Sequence, residues 1–177
     1  MFQEIVKINN RNAVTKLVLI LSMLFSNTFI LQAQPALPQR SITVAATKAL
    51  HFGTFALTGG AGGTVVVDWN GTRSATGSIG LLSAAPVAQP AIFEIKLCQG
   101  RNVIISFDPT VTLTGSDGGS LVLNLGPTEK GGNGAVFATD GNCNFVSLLR
   151  VGGSLNVPGT AIPGVYTGTF FITFNQE

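Results

Sequence analysis

The chain has 177 residues, of which 45% are apolar and only 10% charged, with ten Lys and Arg against eight Asp and Glu. So few charges and no basic run exclude a nucleic-acid-binding surface. Such apolarity excludes a disordered chain, and 22 glycines with abundant Thr, Ser and Val suit an exported β protein better than a helical enzyme.

In chain order, Lys7, Arg11 and Lys16 precede an apolar run over residues 17–25, and Ala33 offers a small residue at a cleavage position. That succession of basic, apolar and small residues predicts a signal peptide over 1–33. A membrane anchor fits less well, because the run is short of the roughly 20 residues of a span and Ser22, Ser26, Asn27 and Thr28 dilute it. Residues 34–177 then form one domain, large enough to bury a core. Its charges balance, seven against seven, and nothing in it suggests a membrane span.

Residues 34–39 hold two prolines and read as a leader. Residues 41–47 alternate, with Ile42, Val44 and Ala46 on one face, and predict the first strand. In Leu50-His51-Phe52-Gly53, His51 should point away from the face shared by Leu50 and Phe52. The glycine-rich segment 59–63 runs into the β-prone 64–69, not into a helix, which argues against a phosphate loop. Asn70-Gly71 predicts a tight type I′ hairpin turn. Residues 81–90 read as a crossing loop, 91–98 and 103–107 as strands, and 111–114 with 121–125 as a hairpin. A polar loop is expected over 126–134, then short strands at 135–138, 144–151 and 154–157, the last two separated by Gly152-Gly153.

The final stretch, 164–175, is the most regular. Tyr166, Gly168, Phe170, Ile172 and Phe174 fall on one side, and Thr167, Thr169, Thr173 and Asn175 on the other, interrupted by Val165 and Phe171. This predicts one continuous strand with one buried face, closed by the protein's own sheet or by a neighbouring subunit. About ten strands and no amphipathic helix make the fold all-β, a single antiparallel β-sandwich.

Signals for chemistry are few. His51 is the only ordinary base beside which a Ser or Cys nucleophile could act, and it sits in a strand pattern, so no catalytic residue is assigned and a hydrolase centred on His51 is the weakest reading. Asp108, Asp117 and Asp140 lie in loops at spacings that match no calcium site. No metal and no cofactor is expected. Trp69 fits either a core position or a ligand-stacking platform for a glycan. Cys98 and Cys143 form a disulfide in the favoured reading, with two buried thiols as the alternative. Closing a loop of about 45 residues would stabilise the fold by about 4 kcal/mol.

Five motifs recur in order: Leu50-x-Phe52-Gly53-Thr54-Phe55; Gly63-Thr64-Val65-x-Val67 with Asn70-Gly71-x-Arg73; Ala91-x-Phe93; Val151-Gly152-Gly153-x-Leu155; and Gly164-x-Tyr166-x-Gly168-x-Phe170. This series resembles an uncharacterised, domain-of-unknown-function family of exported bacterial β proteins. The last motif is also distantly similar to the final strand of spore-coat-U-like and chaperone–usher pilus subunits. That resemblance implies an immunoglobulin-like sandwich and a non-enzymatic fimbrial or adhesive role at the cell surface, outside the cell or in the periplasm, with itself or other surface subunits as partners. Pilus subunits carry a donor strand before their first strand, whereas only 34–40 precedes Ser41 here, and Phe174 is followed by Asn175-Gln176-Glu177. These departures favour a self-contained sandwich; the main functional reading is a subunit of a surface fibre or outer-surface assembly, and the alternative is a self-contained binding module for a glycan or partner protein.

Overall fold

The structure, a computed structural model, describes residues 41–98, 102–140, 142 and 144–176. The signal peptide expected over 1–33, the leader 34–40, the turn at 99–101 and Cys143 lie outside the described residues.

Among the described residues there are thirteen strands and no helix. They are β1 (Ser41–Lys48), β2 (Phe55–Leu57), β3 (Gly63–Val67), β4 (Arg73–Gly77), β5 (Ile79–Leu81), β6 (Ala91–Cys98), β7 (Asn102–Phe107), β8 (Thr110–Gly115), β9 (Ser120–Thr128), β10 (Val136–Ala138), β11 (Ser147–Val157), β12 (Tyr166–Thr167) and β13 (Ile172–Gln176). The fold is all-β and antiparallel, as the period-two patterning requires.

The larger sheet runs β1-β6-β11-β9-β8-β12 and carries β3 and β4 beside β11. A three-stranded sheet, β10-β7-β13, packs over it, and a small pair, β2-β5, forms a third sheet whose Phe55, Leu57 and Ile79 pack against the core. One core joins the two layers. Ile95 and Leu97 of β6, Val103 and Ile105 of β7, Leu121 and Leu123 of β9, and Leu149 and Val151 of β11 are all buried in it. Each strand alternates, so one residue in two faces this seam and excludes water from it.

β11 is the spine of the larger sheet. Its first half pairs with β6, its second half with β3, and β9 lies along its other side. The sequence places a break at Gly152-Gly153; instead β11 runs straight through them, with a register shift against β9 between Val151 and Gly153. The glycines allow approach rather than interruption. A Cβ on Gly152 would sit 2.5 Å from the Val67 carbonyl oxygen and 2.8 Å from the Trp69 nitrogen.

Three further expectations are corrected. β9 continues to Thr128 through part of the loop assigned to 126–134, because Thr128 still pairs with Val151 and is buried, its hydroxyl donating to the Gly131 carbonyl at 2.8 Å. The β3–β4 turn is not a two-residue Asn-Gly turn. The Gly71 amide donates to the Asp68 carbonyl and the Asp68 amide to that of Thr72, so the loop is Trp69-Asn70-Gly71 with Gly71 at φ +88°.

The terminal stretch is not one strand. β12 pairs with β8 in the larger sheet, residues 168–171 pair with nothing among the described residues, and β13 pairs with β7 in the smaller one. The faces nevertheless hold across the break: Tyr166, Phe170, Ile172 and Phe174 are half-buried, whereas Val165 and Phe171 are exposed. The segment changes layers without changing parity.

Candidate functional site

The two layers do not end together. Phe93 of β6 packs against Phe174 at 5.9 Å and Phe170 at 6.3 Å between ring centroids, which sets the smaller sheet's edge strand over β6. β1 lies one strand further out. Ile42, Val44 and Ala46 stand opposite Leu97, Ile95 and Phe93, so their side chains belong to the core-facing side of the sheet. Ile95 is 0% exposed, yet its partner Val44 is 37% exposed, Ala46 is exposed, and only Ile42 is half-buried. The side of β1 away from β6 and the side of β13 away from β7 have no strand partner among the described residues. Each is an unpaired row of backbone donors and acceptors.

At one end of this flank a cavity of about 320 Å³ opens between Ala46, Lys48, Phe93, Gly168 and Phe170. Gly168 passes close over Leu113, whose Cδ2 would stand 2.6 Å from an added Cβ. Tyr166 is anchored by its hydroxyl, which donates to the Ile162 carbonyl at 2.6 Å. Of the residues assigned to the terminal strand, Gly168 and Phe170 line the cavity, Phe174 supports it through Phe93, Tyr166 belongs to the other sheet, and Ile172 pairs opposite Phe107. On the inward side of β13 the Gln176 Oε1 is closed off from solvent with no hydrogen-bond partner among the described residues.

Cys98 is the last residue of β6, paired opposite Ser41, the first of β1. His51 is exposed and bridges to Gln89 through its backbone. No group of three His, Cys, Asp or Glu residues is placed to hold a metal ion among the described residues. No helix there is long and apolar enough to cross a membrane. Trp69 is 37% exposed at the tip of the β3–β4 hairpin, neither core nor fully displayed.

The sequence reading did not single out Arg73 for any role. Its guanidinium donates from Nη2 to the Thr54 carbonyl at 2.6 Å and from Nη1 to the Leu82 carbonyl at 3.1 Å. It rests on Gly53, where a Cβ would come within 3.2 Å of Cζ and the backbone takes φ +69°. Two of the quoted motifs, Leu-x-Phe-Gly and Asn-Gly-x-Arg, therefore meet at one guanidinium. Burial lowers the Arg73 pKa from its ordinary value by desolvation. Asp68 lies across the same hairpin, but no ion pair among the described residues joins it to Arg73.

Residues 42–175 match the family DUF4402, a domain of unknown function, and the chain belongs to that family. No curated protein and no solved structure matches it.

Proposed function

We propose that this DUF4402 protein is an exported, non-enzymatic structural or adhesive subunit of a surface assembly, with an immunoglobulin-like sandwich completed along its open flank by a neighbouring subunit. A family without an assigned activity leaves function to be argued from the site. The observation that supports this reading is the contrast across the β1–β6 pair: Val44 and Ala46 carry core-type side chains that no strand of the second layer covers among the described residues. An apolar-alternating strand from another copy, laid beside β13, would cover them and pair the free backbone row. The Gln176 amide oxygen lies on the same inward face and has no hydrogen-bond donor among the described residues.

Electron microscopy of cells with and without the protein, together with sizing of purified material, tests the reading. Val44→Asp should abolish assemblies while leaving the isolated domain's melting temperature nearly unchanged, since Val44 is already partly exposed. Unaltered assemblies in Val44→Asp, or a strictly monomeric protein and unchanged cell surfaces, would overturn it. The Cys98–Cys143 disulfide belongs to the same proposal: it would tie the end of β6, beside the start of β1, to the segment before β11. Peptide mapping without reductant should find the two cysteines joined.

Trp69 favours a second reading, a singly presented binding module for a glycan, because an indole partly exposed on a hairpin tip offers a stacking face. A glycan array with Trp69→Ala as control separates the two, since subunit assembly along the flank does not involve that ring.

A further inference from the structure

Beside the β3–β4 hairpin a second cavity, of about 340 Å³, is lined by Gly71, Arg73, Leu82, Ser83, Ala84 and Ala88, with Val87 at its rim. It shares no residue with the open flank. Ligand cavities of this size are mostly apolar with a few fixed polar groups, and here Leu82, Ala84, Val87 and Ala88 supply aliphatic surface, Ser83 a hydroxyl, and Arg73 the one charged group.

That cation is unusual in its pairing. No carboxylate lies within 4.0 Å of it among the described residues, where the ion pairs are Glu129 with Lys130 and with Arg150. Its Nε is closed off from solvent without a partner. Each terminal nitrogen makes one hydrogen bond to a backbone carbonyl, which leaves each with a second N–H. A half-buried guanidinium held only by neutral carbonyls retains an unmet preference for an anion, and its planar fork matches a carboxylate. Phosphate or sulfate would satisfy the charge but not the aliphatic walls. Leu82 and Val87, 45% and 78% exposed, are more apolar surface than an ion alone would cover.

We propose that this cavity binds a medium-chain acyl carboxylate, its carboxylate on Arg73 and its chain against Leu82, Ala84 and Val87. The inference goes beyond the assembly reading and does not depend on it. Gly53 is what permits it, because a side chain there would press on the guanidinium from behind and shift its fork.

Octanoate, titrated into the natively purified protein and followed by amide NMR, is the probe. Saturable shifts are expected at Gly53, Gly71, Leu82 and Ala88, with octanamide at least tenfold weaker because it lacks the charge. N-acetyl-leucine, which presents a peptide's terminal carboxylate, should also bind more weakly than octanoate. Val87→Asp puts a negative charge on an exposed rim position; it should leave the melting temperature unchanged and weaken octanoate at least tenfold. Arg73→Lys keeps the charge without the fork and should weaken it about fivefold. Equal response to octanoate and octanamide, tighter binding of N-acetyl-leucine, undiminished binding in Val87→Asp, or no response at 10 mM octanoate would each overturn the proposal.

Discussion

β1 and β3 both pair antiparallel with a central strand of the larger sheet, β1 along nearly all of β6 and β3 along the second half of β11. Both carry inward aliphatic residues, but they end in opposite environments. Val65 and Val67 of β3 are 0% exposed, whereas Val44 of β1 is 37% exposed with Ala46 open beside it. Their patterns differ little: Thr-Val-Val-Val in one, Ile-Thr-Val-Ala-Ala in the other. What differs is the layer above. Alternation assigns a side chain to a face, while burial of that face depends on whether another layer reaches it.

The sharpest break of this comparison is within one cross-strand pair. Ile95→Ala removes a fully buried side chain and should cost about 2–5 kcal/mol in denaturant unfolding. Gly152→Ala should follow, at about 1–3 kcal/mol, because the new methyl meets the backbone of β3 at Val67, which has little freedom to retreat. Arg150→Met removes the 2.7 Å ion pair with Glu129, whose side chain is mostly buried, and should cost about 1–2 kcal/mol, part of it recovered in Glu129→Gln/Arg150→Met. Val44→Ala, opposite Ile95, should stay within about 0.5 kcal/mol in the isolated domain. A loss at Val44 comparable to that at Ile95 would mean that the flank is already covered in solution.

Much of the strand layout could be read from spacing. The faces of β1, β6 and β7, and the inward set Tyr166, Phe170, Ile172 and Phe174, follow from period two alone. The errors share a cause. Gly152-Gly153 and Gly126-Pro127 look like punctuation, but in the fold the first lets β3 approach β11 and the second lies inside β9. Local breakers are ambiguous wherever tertiary pairing continues across them. The division of 164–175 between sheets was equally invisible, since a strand keeps its parity when its partner changes. Of the candidate sites, the flank was half legible: Val44 and Phe170 read as core, and only the position of β13 over β6 shows that no strand among the described residues faces β1. The Arg73 cavity could not be read, because Gly53, Arg73 and Leu82 meet only through the folded loops.

The passage of residues 168–171 from one layer to the other has a consequence for how the protein is made. β11, the spine, begins at residue 147, and the smaller sheet lacks an edge until residues 172–176 are present. A chain emerging amino end first from a ribosome has no finished layer to lock until nearly all of it is made. Stable tertiary structure is thereby postponed by topology to the end of synthesis, and early locking of the amino-terminal strands is discouraged.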